Sequence, residues 1–455
     1  MMMTLSQAAR LADGRLVGAD GEVSRVITDS RQAQPGDLFV ALKGERFDAH
    51  DFVAEVTAKG AAALVRDGFE LAGASLIQAG DDTRLALGRL AAGWRETQPA
   101  VRVGVTGSNG KTTVKEMLAA ILRAHAGDDA VLATAGNFNN DIGLPLTLLQ
   151  LRPQHRYAVI EMGMNHFGEL SYITALARPQ VVLVNNVMRA HLGHFGSTAE
   201  VARAKAEIFE GLSDDGVAVI NADDEYQGLF RAAAGQRRQL SFGLKGQAQV
   251  DAAEVVLDAL SSRFILRTPA GEQAIELPVP GAHNVSNALA ASSLALALEV
   301  PLAAIARGLA TFTGVKGRSH CLQSARGITV FDDSYNANPD STKAGIDVLS
   351  RLPAPRYLVL GDLGELGETA AALHAEVGAY ALSRGIDRLL GLGDLTRHTV
   401  AAFGEDGRFF ESIEALYAYL DAHLQAGGSV MVKGSRFMGM PRIVEYLMQA
   451  KKEGV

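Results

Sequence analysis

The chain has 455 residues, enough for about two to four domains with buried cores of their own. Its formal net charge of −8, with no basic run and no basic patch interleaved with aromatics, argues against nucleic acid as a partner. The sole cysteine, Cys321, cannot form an internal disulfide, Met1–Gly14 lacks the apolar core of a signal peptide, and no run has the length of a membrane span, so a reducing cytoplasm is expected.

In chain order, the first block, 1–81, holds short β-type runs at Val23–Thr28, Asp37–Leu42, Ala61–Arg66 and Ser75–Gln78, with helical stretches between some of them. A small α/β domain is expected. Where the first run ends, in TDSRQAQPGDLFVAL, Ser30 and Arg31 are candidate substrate contacts. A helix from Asp82 to Arg95 leads into the second block, 82–315. There the runs Val101–Thr106, Ala130–Thr134, Tyr157–Met162, Val181–Val187 and Val217–Asn221 alternate with helices. That alternation predicts a mainly parallel, doubly wound sheet with ligands at the carboxyl ends of its strands. A more antiparallel stretch, about Leu240 to Leu277, and a helix from Asn284 to Glu299 follow. The third block, 316–455, alternates again: Ile328–Asp332, Tyr357–Leu360, Arg388–Leu392 and Ser429–Val432. It reads as a Rossmann-like unit without the glycine fingerprint of a dinucleotide domain. The fold class is therefore α/β, with a small first domain, a central parallel-sheet domain and a C-terminal Rossmann-like domain.

The most specific string is GVTGSNGKTTVKEM, Gly104–Met117. It follows an apolar strand and opens a helix whose apolar residues Val114, Met117, Leu118, Ile121 and Leu122 recur at helical spacing. A glycine turn there aims backbone N–H groups and the helix dipole at an anion. Val105 stands where the usual phosphate loop has its first glycine, and Gly107 supplies an early one instead. Gly107, Ser108, Asn109, Gly110, Lys111, Thr112 and Thr113 are the expected ATP contacts, with Lys111 on the terminal phosphates and the Thr112 hydroxyl on Mg²⁺.

Glu161 ends the run YAVIE at a strand's carboxyl end, where a carboxylate suits Mg²⁺. His191 follows QVVLVNNV in a glycine-rich loop and reads equally as solvated or functional. Ser197 and Glu200 form a capping box before a stripe of Val201, Ala204, Lys205, Ile208 and Leu212. A lysine on that stripe snorkels, pairs or is chemically used. Desolvation favours its neutral amine, which can add carbon dioxide. Asn284 and Asn287, in PGAHNVSNALAA, suit either the adenine edge or helix capping. Arg318 is a candidate phosphate clamp. In ITVFDDSYNANPDS, Asp333 could take ribose hydroxyls and Tyr335 a base, while Asn336, Asn338, Asp340 and Ser341 could bind a peptide. GNFNNDIGLPLTLL adds Asn137, Asn139 and Asn140, amides that also suit turns for local reasons.

Together these strings resemble the Mur ligases, ATP-dependent amide-forming enzymes of bacterial cell-wall synthesis, over essentially the whole chain. The resemblance implies metal binding by Glu161 and His191, a carbamylated Lys205, adenine contacts from Asn284 and Asn287, and phosphate and ribose contacts from Arg318 and Asp333. GNFNNDIGLPLTLL, EMGMNHFGEL and DDSYNANPDS are similar to the members that add D-alanyl-D-alanine. Members adding diaminopimelate carry a D-N-P-R signature, whereas this turn reads Asn336-Ala337-Asn338-Pro339-Asp340, without that arginine. Leu363 stands where the family commonly has methionine, a conservative change.

The implied chemistry is phosphorylation of the carboxylate of a UDP-N-acetylmuramoyl-tripeptide by ATP, then attack of the D-alanyl-D-alanine amine on the acyl phosphate. Lys111, Lys205, Arg318 and His191 would carry it, with Mg²⁺ on Thr112, Glu161, His191 and the carbamate. A cytoplasmic monomer is expected. The rival readings are a sibling ligase adding one amino acid or glutamate, and a phosphate-loop regulatory ATPase. The asparagine-rich strings of the second and third blocks, with the polar string TDSRQ of the first, disfavour the ATPase.

Overall fold

The computed structural model describes residues 1–45, 47–190, 192–246 and 248–450. Near the N-terminus, Arg15–Val17 (β1), Arg25–Ile27 (β2), Asp37–Val40 (β3), Ala62–Val65 (β4) and Leu76–Gln78 (β5) form a sheet of order β1-β5-β4-β3-β2. It is parallel except where β1 meets β5. Every residue of β3, β4 and β5 is buried, so apart from Asp37 and Gln78 at strand ends these strands read as apolar runs rather than alternating ones. The buried acid Asp37 is neutralised by a fork of Arg25, at 3.0 and 2.7 Å. The helix Thr83–Glu96 (α1) starts where expected, because the Asp82 carboxylate caps it through the Arg84 N–H.

The central strands are Val101–Thr106 (β6), Val131–Ala133 (β7), Tyr157–Glu161 (β8), Val181–Val184 (β9), Val217–Asn221 (β10) and Arg238–Phe242 (β11). Their order is β11-β10-β9-β6-β8-β7. Chain order reverses at β6, the kind of switch point beside which α/β sheets bind ligands. From β6 the chain enters the glycine loop and then the helix Lys111–Ala126 (α2). The expected stripe Val114, Met117, Leu118, Ile121 and Leu122 is fully buried, each side chain contributing about 1.5–3 kcal/mol of transfer free energy.

Two of the boundaries that differ from expectation lie next to the glycine loop and Lys205. β9 stops at Val184, because Asn185 and Asn186 leave the strand and spend their amides on the glycine loop. The helix Thr198–Ala206 (α3) ends early and continues as a 3₁₀ turn, Glu207–Gly211, which keeps Ile208 and Leu212 facing inward. Of the expected capping box, the Ser197 hydroxyl does accept the Glu200 N–H at 3.3 Å, while the Glu200 carboxylate pairs with Arg203.

Asp251–Leu257 (β12), Ser262–Thr268 (β13) and Gly271–Leu277 (β14) form an antiparallel sheet, which begins later than the expected Leu240 because Leu240–Phe242 belong to β11 of the central sheet; the helix Ala282–Ala297 (α4) follows. The last sheet comprises His320–Gln323 (β15), Thr329–Asp333 (β16), Arg356–Gly361 (β17), Arg388–Leu392 (β18), Gly407–Phe410 (β19) and Ser429–Lys433 (β20), in the order β15-β16-β20-β17-β18-β19. Only β15 is antiparallel to its neighbour. The helices Pro339–Leu349 (α5) and Ala370–Ser383 (α6) pack on it.

By internal packing the chain divides into two units. One comprises Met1–Thr106, Ala126–Val182 and Glu207–Val217, the other Gly107–His125, Leu183–Ala206 and Ala218–Val455. Among the described residues no helix is long and apolar enough to cross a membrane.

Candidate functional site

The glycine loop of the second unit is held by asparagines. Gly110 sits at φ +80°, and a Cβ there would lie 2.4 Å from the Asn287 Oδ1 and 2.6 Å from the Asn185 Nδ2, so only glycine fits. The Asn186 side chain accepts the Asn109 N–H at 2.9 Å and its backbone carbonyl accepts the Ser108 N–H at 2.9 Å. Asn185 donates to the Asn109 carbonyl (2.9 Å) and to Asn287 (3.1 Å), while Asn221 donates to the Asn185 carbonyl (2.8 Å). Asn109 in turn exchanges amide bonds with Asn338, at 2.7 and 3.3 Å. The loop is thus shaped before any phosphate arrives. Asn284 is buried on α4 and donates to the Pro280 carbonyl (2.8 Å). Gly281, not Asn284, is the residue at the helix start.

Lys111 opens α2 and curls back so that its ammonium donates to the Gly107 carbonyl at 2.8 Å. Thr112 and Thr113 are buried beside it. Lys205 is 2 % exposed, and among the described residues its amine has no hydrogen-bond or ion-pair partner. Burial, and secondarily the charge of Lys111, holds its pKa well below the ordinary lysine value, which favours the free amine.

The turn after β16 is organised by a lysine. Asp333 and Lys433 are register partners at the carboxyl ends of β16 and β20, and they form an ion pair. Asp333 also accepts the Ser319 N–H (3.0 Å), and Lys433 donates to the Asn336 carbonyl (3.0 Å). The Arg318 guanidinium lies 4.3 Å from the centroid of the Tyr335 ring, with that of Arg436 at 5.8 Å. Asn338 caps α5 reciprocally with Ser341. Asp340 is held by Arg189.

In the first unit, Glu161 is 2 % exposed and accepts from the Asn139 amide at 2.7 Å. Asn140 caps the turn at Gly143 (2.9 Å), and Asn137 is exposed. Ser30 and Arg31 lie on a short 3₁₀ turn, where the Arg31 fork holds the Asp29 carboxyl down at about 2. His191 lies outside the described residues. Among the described residues no group of three or more His, Cys, Asp or Glu could hold a metal. A cation here would therefore depend on few protein oxygens and on substrate phosphates, the habit of Mg²⁺.

Sequence reasoning missed Asn185, Asn186, Asp224 and Lys433. Asp224 anchors the loop after β9 by accepting the Val187 N–H at 2.7 Å. From sequence the asparagine doublet reads as part of the run Val181–Val187, whereas the strand ends at Val184. Lys433 ends the apolar run SVMVK, the kind of position that singled out Glu161.

Cys321 is half-buried on β15, and burial pushes its thiol up to about 11. A thiol in that state is a poor nucleophile. Cys321→Ser should keep at least about half the parent turnover, since no thiol chemistry is available to lose. A folded but inactive serine variant, judged by thermal unfolding and steady-state rates, would place the thiol in the reaction.

Family models described as Mur ligase middle domain, as Mur ligase, glutamate ligase domain, and as Mur ligase family, catalytic domain, match residues 105–295, 317–436 and 22–95. The UDP-N-acetylmuramoyl-tripeptide–D-alanyl-D-alanine ligase of Escherichia coli is 44% identical over 451 residues, 98% of each chain. That of Bacillus subtilis is 32% identical over 463 residues, again 98% of each chain. A crystal structure of MurF from Acinetobacter baumannii matches with a TM-score of 0.91 at 38% identity, covering 98% of each chain. The MurF ligase of Thermotoga maritima in complex with ADP matches with a TM-score of 0.83 at 26% identity, covering 94% of this chain and 97% of that one.

Proposed function

This chain belongs to the Mur ligase family, and from that premise we propose that it uses ATP to join D-alanyl-D-alanine to a UDP-N-acetylmuramoyl-tripeptide. The observation that carries this reading is the reciprocal amide pair Asn109–Asn338. It ties the loop that would hold the ATP phosphates to the turn that would receive the amino donor. A reaction in which an amine attacks a freshly made acyl phosphate needs those two places side by side.

A carboxylate is a poor electrophile, and phosphorylation gives it a good leaving group. In the proposed reaction the tripeptide carboxylate takes the γ-phosphoryl group of ATP and releases ADP. The amine of the dipeptide then adds to the acyl carbon, and the tetrahedral intermediate collapses to amide and phosphate. Lys111 and Arg318 would stabilise charge on the transferring phosphoryl group. Asn284 and Asn287 would face adenine, and Asp333 and Tyr335 the ribose and base. Thr112, Glu161, His191 and a carbamylated Lys205 would hold Mg²⁺, which supplies charge neutralisation between two anions. Taken residue by residue the chemistry suits Mg²⁺: Glu161 is a buried carboxylate, Thr112 carries a hydroxyl at a helix start, and burial of Lys205 favours its neutral amine.

Residues 1–81 would bind the UDP end with Ser30 and Arg31, 82–315 the ATP, and 316–455 the dipeptide. Asn137, Asn139 and Asn140 would serve the peptide or sugar of the acceptor. We place the enzyme in the cytoplasm as a monomer.

The turn Asn336–Ser341 offers neutral amides and no arginine to meet the free carboxylate of a diaminopimelate side chain. From a mixture of D-alanyl-D-alanine and single amino acids, the product should therefore gain the mass of the dipeptide. A gain of one residue would assign the chain to a sibling ligase. ADP release indifferent to the dipeptide would instead make it a regulatory ATPase.

A further inference from the structure

We infer that Arg189 is a positioning residue, whose clasp on Asp340 and Glu376 holds the amino-donor turn against the phosphate loop. The inference rests on the reading of that turn as the dipeptide site. Arg189 lies in the loop that follows β9, the loop whose Asn186 and Met188 also bond the glycine loop. Its backbone N–H donates to Asp340 at 2.9 Å, and its Nε reaches both Asp340 carboxylate oxygens, at 3.1 and 3.2 Å. Its Nη1 donates to Glu376 on α6 at 2.9 Å, and Glu376 is paired in addition with Lys343 on α5. One guanidinium therefore pins two helices of the last sheet to a single loop. Asp340 is the second residue of α5, and Asn338, at the cap of the same helix, grips Asn109.

The geometry gives Asp340 a task other than the one its place in the turn suggests. Its two oxygens accept four bonds from Arg189, so it serves to hold the turn rather than to meet the dipeptide. A planar fork suits that task, because bidentate bonds fix direction as well as distance. A lysine would keep the charge and lose the direction. The group is partly exposed, with the Arg189 side chain at 29% and Asp340 at 25%, so water reaches the pair. Its effect should fall on the substrate that the turn receives.

The test is steady-state kinetics of Arg189→Ala, Arg189→Lys, Asp340→Asn and the double variant Arg189→Ala/Asp340→Asn, each checked by thermal unfolding. The parent must first turn over D-alanyl-D-alanine; if it does not, the assignment of the turn has failed rather than the clasp. With the parent active, Arg189→Ala should raise KM for the dipeptide about tenfold and leave KM for ATP within about threefold. Arg189→Lys should recover only part of the loss. The double variant should be no worse than the worse single one, the signature of residues acting as a pair. Unchanged KM for the dipeptide in a folded Arg189→Ala protein, equal shifts for both substrates, or additive losses in the double variant would each overturn the clasp.

Discussion

Lys111→Ala should lose about a hundredfold or more in turnover, the scale of removing a charge aimed at developing negative charge. The ammonium folds back to the Gly107 carbonyl, so it stands over the loop rather than out in solvent. The loop does not need it to keep its shape. Asn185, Asn186 and Asn338 make the bonds that fix Ser108 and Asn109. The bond to the Gly107 carbonyl that truncation removes is worth about 0.5–1.5 kcal/mol, and the helix itself is anchored by a fully buried apolar stripe. The variant should therefore fold and bind its substrates while failing to transfer the phosphoryl group. Initial rates of ADP release, with unfolding midpoints as control, separate the two effects. Turnover within about threefold of the parent would end the assignment of this loop as catalytic, because uniform binding alone leaves turnover untouched.

Much of this site was legible because its chemistry is carried by local strings. The glycine turn, the strand-end Glu161 and the lysine on the α3 stripe each announce themselves by a residue type at odds with its neighbours. Lys205 was expected on an apolar face and is found there, 2 % exposed. What the sequence hid is pairing at long range. Nothing in the spacing of Asn109 and Asn338 joins residues so far apart in the chain, and asparagine is common in turns for local reasons. Arg189 and Asp340 were hidden for the same reason. A lone arginine after a strand reads as solvated, and an acid in a polar turn reads as a ligand contact, until the fold brings them together. Lys433 was missed because its partner, Asp333, sits on a neighbouring strand a hundred positions earlier. Sheet neighbours are fixed by topology, which a motif search does not see.

The burial of Lys205 supports its proposed action as a carbamate. A buried ammonium with no counter-charge is costly, since its desolvation penalty is not repaid. The structure gives Lys205 no such repayment among the described residues, and Lys111 adds repulsion. Both effects favour the neutral amine. A neutral amine adds carbon dioxide, forming an N–C bond and losing a proton, and the product is an anion that a buried site beside Lys111 accommodates better than a second cation. Lys205→Ala should therefore cost about a hundredfold or more in turnover, as for other groups that stabilise transition-state charge. Formate or acetate should restore part of the loss by supplying the missing carboxylate, while Lys205→Arg, which keeps only the cationic charge, should stay inactive. The parent enzyme depleted of carbon dioxide should lose activity and regain it with bicarbonate. The regain should weaken as pH falls, because protonation of the amine withdraws the reacting form. If arginine restores turnover and neither carboxylates nor bicarbonate change it, the lysine acts as an ammonium, and its burial beside Lys111 needs another explanation.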